Sequence, residues 1–194
     1  GTALCDNHQL CPDLLPIISQ LKERNVEVVF STGRSFASSK QYADAVGGTR
    51  YIINYNGAYV FDFHNEQILT QSVLPQKVVE QTQIFAQRFA LDPIYFHNDT
   101  LYSYDEGLPN DIYEGEQFVQ LTAETNWSKK TFTKTLFIAP KEEIFHLRQR
   151  AIEFFPNATI VTSADNYLEI MPLNVDKSLG VKAVLQALNL TPAD

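Results

Sequence analysis

Leu14, Ile17, Ile18 and Leu21 recur at the i, i+3, i+4, i+7 spacing that lines one face of a helix. With Pro12 suited to a first turn, the spacing predicts a helix over residues 12–23, its start irregular around Pro16. The run Val26-Glu27-Val28-Val29-Phe30 is short, rich in β-branched residues and nearly continuous, the pattern of a buried strand. Residues 35–46 read as a helix and residues 51–54, Tyr-Ile-Ile-Asn, as a second short buried strand. Helix, strand, helix, strand in that order predicts a parallel sheet with crossover helices.

After Asn56-Gly57 the pattern changes. Residues 58–62 and 67–72 flank His64-Asn65-Glu66 and predict a β-hairpin. Residues 78–89 form an amphipathic helical pattern, 94–97 and 101–104 a hairpin about Asn98-Asp99, and 112–123 a further helix. Residues 135–139 read as a strand and 140–154 as a helix whose Glu142 and Glu143 suit its N-terminus. Strands at 159–162 and 168–171 are joined by Asp165-Asn166, and a last helix runs over 176–188. Tyr95, Phe96, Tyr102 and Tyr104 alternate along the second hairpin as sheet packing. This strand-rich α+β stretch differs from the parallel pattern before it. The expectation is therefore two domains, the second inserted into the first: residues 1–73 with 172–194, and residues 74–171.

Of 194 residues, 44% are apolar, enough for a proper core. No stretch approaches the ~20 uninterrupted apolar residues of a membrane helix, and no basic segment followed by an apolar one opens the chain, so a cytoplasmic location is expected. A net charge of −8 argues against nucleic acid as a partner. It also means that a phosphorylated ligand would need local positive charge from a metal, a lysine or backbone N–H groups. Cys5 and Cys11 lack zinc-like spacing; a disulfide between them is open, but two reduced thiols are expected in a cytoplasmic protein. The histidines at 8, 64, 97 and 146 share no ligand spacing.

Three segments could carry chemistry. The strand ending in Ser31-Thr32-Gly33-Arg34 runs into a helix, and ligands in open α/β folds bind beyond the carboxyl ends of strands. The helix offers N–H groups and a positive dipole end. Gly33 allows close backbone approach, Thr32 can donate its hydroxyl to a phosphate oxygen, and Arg34 can pair with an anion or with the second domain. The alternative is an ordinary junction in which Thr32 caps the helix. Asn54-Tyr55-Asn56-Gly57-Ala58 also follows a short apolar strand; Asn-Gly favours a turn with positive φ, and the loop is expected beside the first at one sheet edge. In the stretch Asp176-Lys177-Ser178-Leu179-Gly180-Val181-Lys182, Lys177 falls in the first turn of a helix. The macrodipole disfavours a cation there, an arrangement that a bound anion would complete; the alternative is a solvated surface lysine.

Taken in order, the opening Gly1-Thr2, then Ser-Thr-Gly-Arg, Asn-Gly-Ala, a long α+β insertion and Lys-x-x-Gly-x-Lys resemble the Cof-type members of the haloacid dehalogenase superfamily. The resemblance implies a Rossmann-like α/β core with an inserted α+β cap. It also implies a phosphatase acting on a small phosphorylated metabolite through an aspartyl-phosphate intermediate, with Mg2+ as cofactor. It assigns Thr32 to the transferring phosphoryl group, Gly33 to backbone contacts, and Lys177 to holding nucleophile and phosphate together. Asn56 and Gly57 become the flanking loop, with Thr2 and Arg34 as further phosphate contacts. Ser178 stands where the family often has glycine.

In that family two catalytic aspartates would precede Gly1, and an acidic Gly-Asp-x-x-Asn-Asp motif that holds magnesium would follow Asp194. Phosphoryl transfer needs the nucleophile and the cation. Residues 1–194 alone are thus expected to hold no metal and not to turn over, and strand edges near Val28 and Ile52 are expected to be unpaired. Two other readings stay open: a non-catalytic anion-binding or regulatory protein, and a phosphotransferase or phosphomutase on the same fold. Substrate identity and oligomeric state are not legible.

Overall fold

The computed structural model describes residues 3–5, 9–108, 115–127 and 130–193. Helix α1 (Leu14–Glu23) leads to β1 (Phe30–Ser31), α2 (Phe36–Ala45) and β2 (Tyr51–Asn54). A 3-10 turn (Tyr55–Gly57) and the hairpin β3 (Tyr59–Asp62) and β4 (Gln67–Gln71) follow. These strands form one sheet in the order β1-β2-β3-β4, with β1 and β2 parallel and the others antiparallel. Then come α3 (Gln76–Phe89), β5 (Pro93–His97), β6 (Thr100–Ser103), β7 (Gln117–Gln120), β8 (Lys134–Ile138), α4 (Lys141–Phe154), β9 (Ala158–Ala164) and β10 (Tyr167–Pro172). Their strands form a second, six-stranded sheet in the order β7-β6-β5-β8-β10-β9. Helix α5 (Lys177–Leu188) returns to pack on the first sheet, where Val184 meets Tyr51, Ile53 and Val60.

Strand periodicity explains how the layers stack. Successive side chains face opposite sides of a sheet. Tyr95, Phe137, Leu168 and Ile170 therefore face one side of the second sheet, where they join Val79 and Phe85 of α3 and Leu147 and Ala151 of α4. Ile94, Phe96, Leu136 and Met171 face the other side, against Tyr59 of β3 and Tyr55 and Ala58 in the turn before it. Fully burying a side chain of this size stabilises by roughly 1.5–3 kcal/mol, so this seam fixes one sheet on the other. Lys134 and Glu169 share the parity of Leu136 and Met171, and they too point at the first sheet. Trp127 packs on Tyr95 and Phe132 beside the helical layer.

Several expectations change. Residues 112–123 do not form a helix over their described part. Instead, β7 lies parallel to β6 with Leu101 opposite Phe118, because Phe118 and Val119 complete the edge of that sheet; residues 112–114 lie outside the described residues. The strand expected at 26–30 is reduced to Phe30–Ser31, which pair only with Ile52 and Ile53. Val28 stands outside any ladder, as expected, but the Ile52 edge is paired on both sides, since antiparallel β3 covers the flank opposite β1. The two cysteines are not free thiols. Leu4 and Leu10 form an antiparallel bridge, and the Cys5 N–H donates to Gln9 O at 2.9 Å. The chain thus folds back on itself with the cysteine Cα atoms 5.2 Å apart, and Cys5 and Cys11 form a disulfide.

The β3–β4 turn hangs on one carboxylate. Asp62 is 1% exposed and accepts from the His64 N–H at 2.8 Å, the Asn65 N–H at 3.2 Å and the Asn65 amide at 2.8 Å, with the Arg50 guanidinium at 3.6 Å. Burial pushes its carboxyl up, but the bonds from Asn65 and His64 and the charge of Arg50 outweigh burial and leave it below the ordinary value. Asp62→Ala is expected to cost about 2 kcal/mol in urea unfolding at neutral pH, since several donors lose their acceptor. With the folded value depressed, the contribution is complete above the unfolded value of about 3.9 and fades as pH falls through the lower folded value. Wild type and variant should therefore converge in stability only under strong acid.

Candidate active site

Three segments converge at the carboxyl ends of β1 and β2. The Thr32 N–H donates to Ile53 O and the Asn56 N–H to Thr32 O, each at 2.9 Å, and the Tyr55 N–H donates to Arg34 O at 3.0 Å. The two loops thus run side by side, as their positions after parallel strands implied. Asn54, fully buried, knits them: its amide nitrogen donates to Arg34 O at 3.2 Å, Ser35 O at 3.0 Å and Ser39 Oγ at 2.6 Å. Tyr55, Asn56 and Gly57 all have positive φ, at 48°, 51° and 100°. Such a backbone is costly for a tyrosine. It is held by burial, by the Arg34 carbonyl and by the Tyr55 hydroxyl, which donates to Asn98 O.

The third segment is the N-terminus of α5. Asp176 caps it, accepting from the Leu179 N–H at 3.0 Å. The Ser178 hydroxyl, 2.6 Å from Asp176 Oδ1, and the Leu179 N–H hold that carboxyl below its ordinary range. Contact with the second loop is as close as two backbones allow. A Cβ on Gly57 would lie 2.0 Å from Asp176 O, and one on Gly180 would lie 2.3 Å from Ile53 Cγ2. Two glycines therefore let α5 settle on β2 and its turn. Lys177, the next residue, is exposed and has no ion-pair partner among the described residues.

Thr32 is not the cap of α2. That role belongs to Ser35, whose Oγ accepts from the Ser38 N–H at 3.1 Å. The Thr32 hydroxyl instead accepts from the Arg34 N–H at 3.2 Å, which leaves its own proton for an acceptor outside the loop. The Gly33 N–H has no acceptor among the described residues. The N-terminus of α2 is less open than expected. Ala37 N–H donates to Asp99 Oδ1 at 2.7 Å, and the Ser35 hydroxyl donates to Glu116. Both carboxylates come from the second sheet and already occupy the positive end of the helix. Burial raises the Asp99 carboxyl, the Ala37 N–H draws it back, and Glu116 adds to the rise. The Arg34 guanidinium lies 5.7 Å from the Tyr42 ring. Thr2 lies outside the described residues. Among those residues, no group of three His, Cys, Asp or Glu could hold a metal, and no helix is long and apolar enough to cross a membrane.

Sequence reasoning passed over Lys134 and Glu169. The two form an ion pair at 2.6 Å and are only 8% and 3% exposed at the side chain. Lys134 Nζ reaches Gly33 O at 3.4 Å, and Glu169 Oε2 accepts from the Asn56 amide at 3.2 Å. A signal was present for Glu169, which sits between Leu168 and Ile170 in an otherwise apolar strand, where an ionised side chain is rarely buried without a partner; Lys134, between Thr133 and Thr135 at the start of β8, carried none.

The first sheet thus carries loops that converge beyond its strand ends, and the second sheet reaches down to them. Residues 1–194 match the haloacid dehalogenase-like hydrolase family, and the chain belongs to it. A relative named HMP-PP phosphatase from Serratia proteamaculans is 26% identical over 200 residues, which are 100% of this chain and 72% of that protein. A haloacid dehalogenase-like hydrolase from Bacteroides thetaiotaomicron superposes with a TM-score of 0.81 at 15% identity, covering 97% of this chain and 74% of the other. A haloacid dehalogenase subclass IIB sugar phosphatase gives a TM-score of 0.78 at 15% identity, covering 97% and 73%.

Proposed function

We propose that this hydrolase is a phosphatase of the Cof type that cleaves a small phosphorylated metabolite. Thr32, Gly33, Asn56, Gly57 and Lys177 form its phosphate cradle, and Thr2 and Arg34 are further contacts. The observation that carries the reading is the convergence of the Thr32 and Asn56 loops with the start of α5, packed as closely as Gly57 allows. Thr32 supplies a hydroxyl proton, Gly33 an N–H and Lys177 a positive charge, the donors an anion needs in an otherwise acidic protein. In this reading residues 1–73 and 172–194 are the catalytic core and 74–171 the cap.

The family resemblance implies magnesium and an aspartyl nucleophile. The described residues do not fit the metal, since they bring no three suitable ligands together. What they contribute is binding, orientation and exclusion of water. The substrate classes with support are those of the relatives, HMP-PP and sugar phosphates. The test is release of inorganic phosphate by the full-length protein from a panel containing HMP-PP and hexose and pentose phosphates, run with magnesium and with EDTA. Magnesium-dependent hydrolysis of at least one ester is expected. Binding of phosphate without hydrolysis of any ester would contradict the proposal and favour a non-catalytic anion-binding protein.

A further inference from the structure

The buried Lys134–Glu169 pair is unexplained by stability alone. Withdrawing two charges from water is costly, and an apolar pair of similar volume often serves the fold as well. Lys134 lies on β8, whose residue in register with Glu169 of β10 is Leu136, so the two charges meet diagonally across the sheet. Both oxygens of the carboxylate are used: Oε1 accepts from Lys134 at 2.6 Å and Oε2 from the Asn56 amide at 3.2 Å. The Asn56 amide rests on Gly33, where a Cβ would come within 3.0 Å of Asn56 Oδ1. Lys134 gives a second contact to Gly33 O at 3.4 Å, and its ammonium lies 4.7 Å from the Phe96 ring and 5.8 Å from the Tyr55 ring. Lys134 thus holds the Gly33 carbonyl directly, and Glu169 reaches the same residue through the Asn56 side chain.

The grip has a direction. A trans peptide unit is planar, so the Gly33 carbonyl and the Arg34 N–H lie in one rigid plane and point in opposite directions. Holding the carbonyl aims the N–H, and that N–H donates to Thr32 Oγ1 at 3.2 Å. A hydroxyl that accepts in this way turns its own proton elsewhere. We infer that Lys134 and Glu169 are positioning residues for the candidate phosphate loop, acting through Gly33 and Asn56 to aim the Thr32 hydroxyl at the ligand. Because both sit on the second sheet, the loop reaches its binding geometry only with that sheet seated over it. The kinetic arm of the test rests on the phosphatase reading above; the exchange arm does not.

The full-length protein is compared with its Lys134→Met variant, the charge-free double variant Lys134→Met/Glu169→Gln, Thr32→Val, and Lys134→Met combined with Thr32→Val. The exposed Lys141–Asp165 pair supplies a control, Lys141→Ala. The double variant removes both charges together and leaves none unpaired, so it is the variant expected to keep its melting temperature. It should nonetheless lose roughly ten- to a hundredfold in kcat, the scale of a small misplacement of a catalytic contact. Lys134→Met should have little further effect in the Thr32→Val background; a merely structural role would give the same loss in both backgrounds. Independently of turnover, amide exchange at residues 33–35 should quicken at least tenfold in the double variant and stay unchanged in Lys141→Ala. If the wild type hydrolyses no ester, the phosphatase reading fails while the exchange result still decides the positioning role. Unchanged exchange at 33–35 in a folded double variant, or equal kcat losses with and without Thr32, would overturn it.

Discussion

Gly57→Ala lowers the melting temperature by roughly 10 °C and removes hydrolysis. Gly57 has φ of +100°, and an added Cβ would meet Asp176 O at 2.0 Å, Asp176 C at 2.8 Å and the Gly180 N at 3.3 Å. None of these atoms is the tip of a flexible side chain, so α5 must move away from the loop. The left-handed backbone costs about 1–2 kcal/mol for an L-residue and overpacking a further ~1–3 kcal/mol. Each kcal/mol is worth roughly 2–4 °C at this chain length. Gly48→Ala separates the two causes. Gly48 has φ of +79° with nothing within 4 Å, so it carries the backbone cost alone. Thermal melts of both variants should show Gly57→Ala clearly the worse. Equal shifts would mean that α5 does not press on this turn.

Lys177→Met is expected to change activity and stability in opposite directions. As a cation in the first turn of α5, Lys177 opposes the macrodipole, and its removal should raise stability by a few tenths of a kcal/mol. If Lys177 belongs to the proposed phosphate cradle, losing its charge should lower kcat/KM by roughly a hundred- to a thousandfold. A residue kept against the interest of its own helix marks a site maintained for its ligand. Steady-state phosphate release and a melting curve on the same preparation check both halves. A destabilised variant with full activity would make Lys177 an ordinary surface residue.

Much of the fold is written in local pattern. The hairpins at Asn98-Asp99 and Asp165-Asn166 and the helices from Leu14 and Lys141 follow from turn residues and 3.6-residue spacing, which need no distant partner. The loops of Thr32 and Asn56 were placed together because both end parallel strands. The misses share a different cause. β7 is a four-residue edge strand whose Phe118, with Leu121 just beyond it, also fits a helical spacing, and only pairing with β6 decides between the two. Compartment favours free thiols at Cys5 and Cys11, whereas the Leu4–Leu10 bridge brings them together. Asp99 and Glu116 at the start of α2, and Lys134 and Glu169 at Gly33, act across the seam between the sheets. No window along the chain shows which strand faces which loop, although a lone charge in a buried strand was a legible warning.

Where an anion binds decides whether these loops are a phosphate site. Amide hydrogen exchange with and without inorganic phosphate tests this most directly. Slowed exchange confined to residues 32–36, 55–57 and 176–180 is the predicted result. Protection at the cleft lined by Lys22, Thr49 and Arg50 instead, or no protection anywhere, would contradict the proposed phosphate cradle.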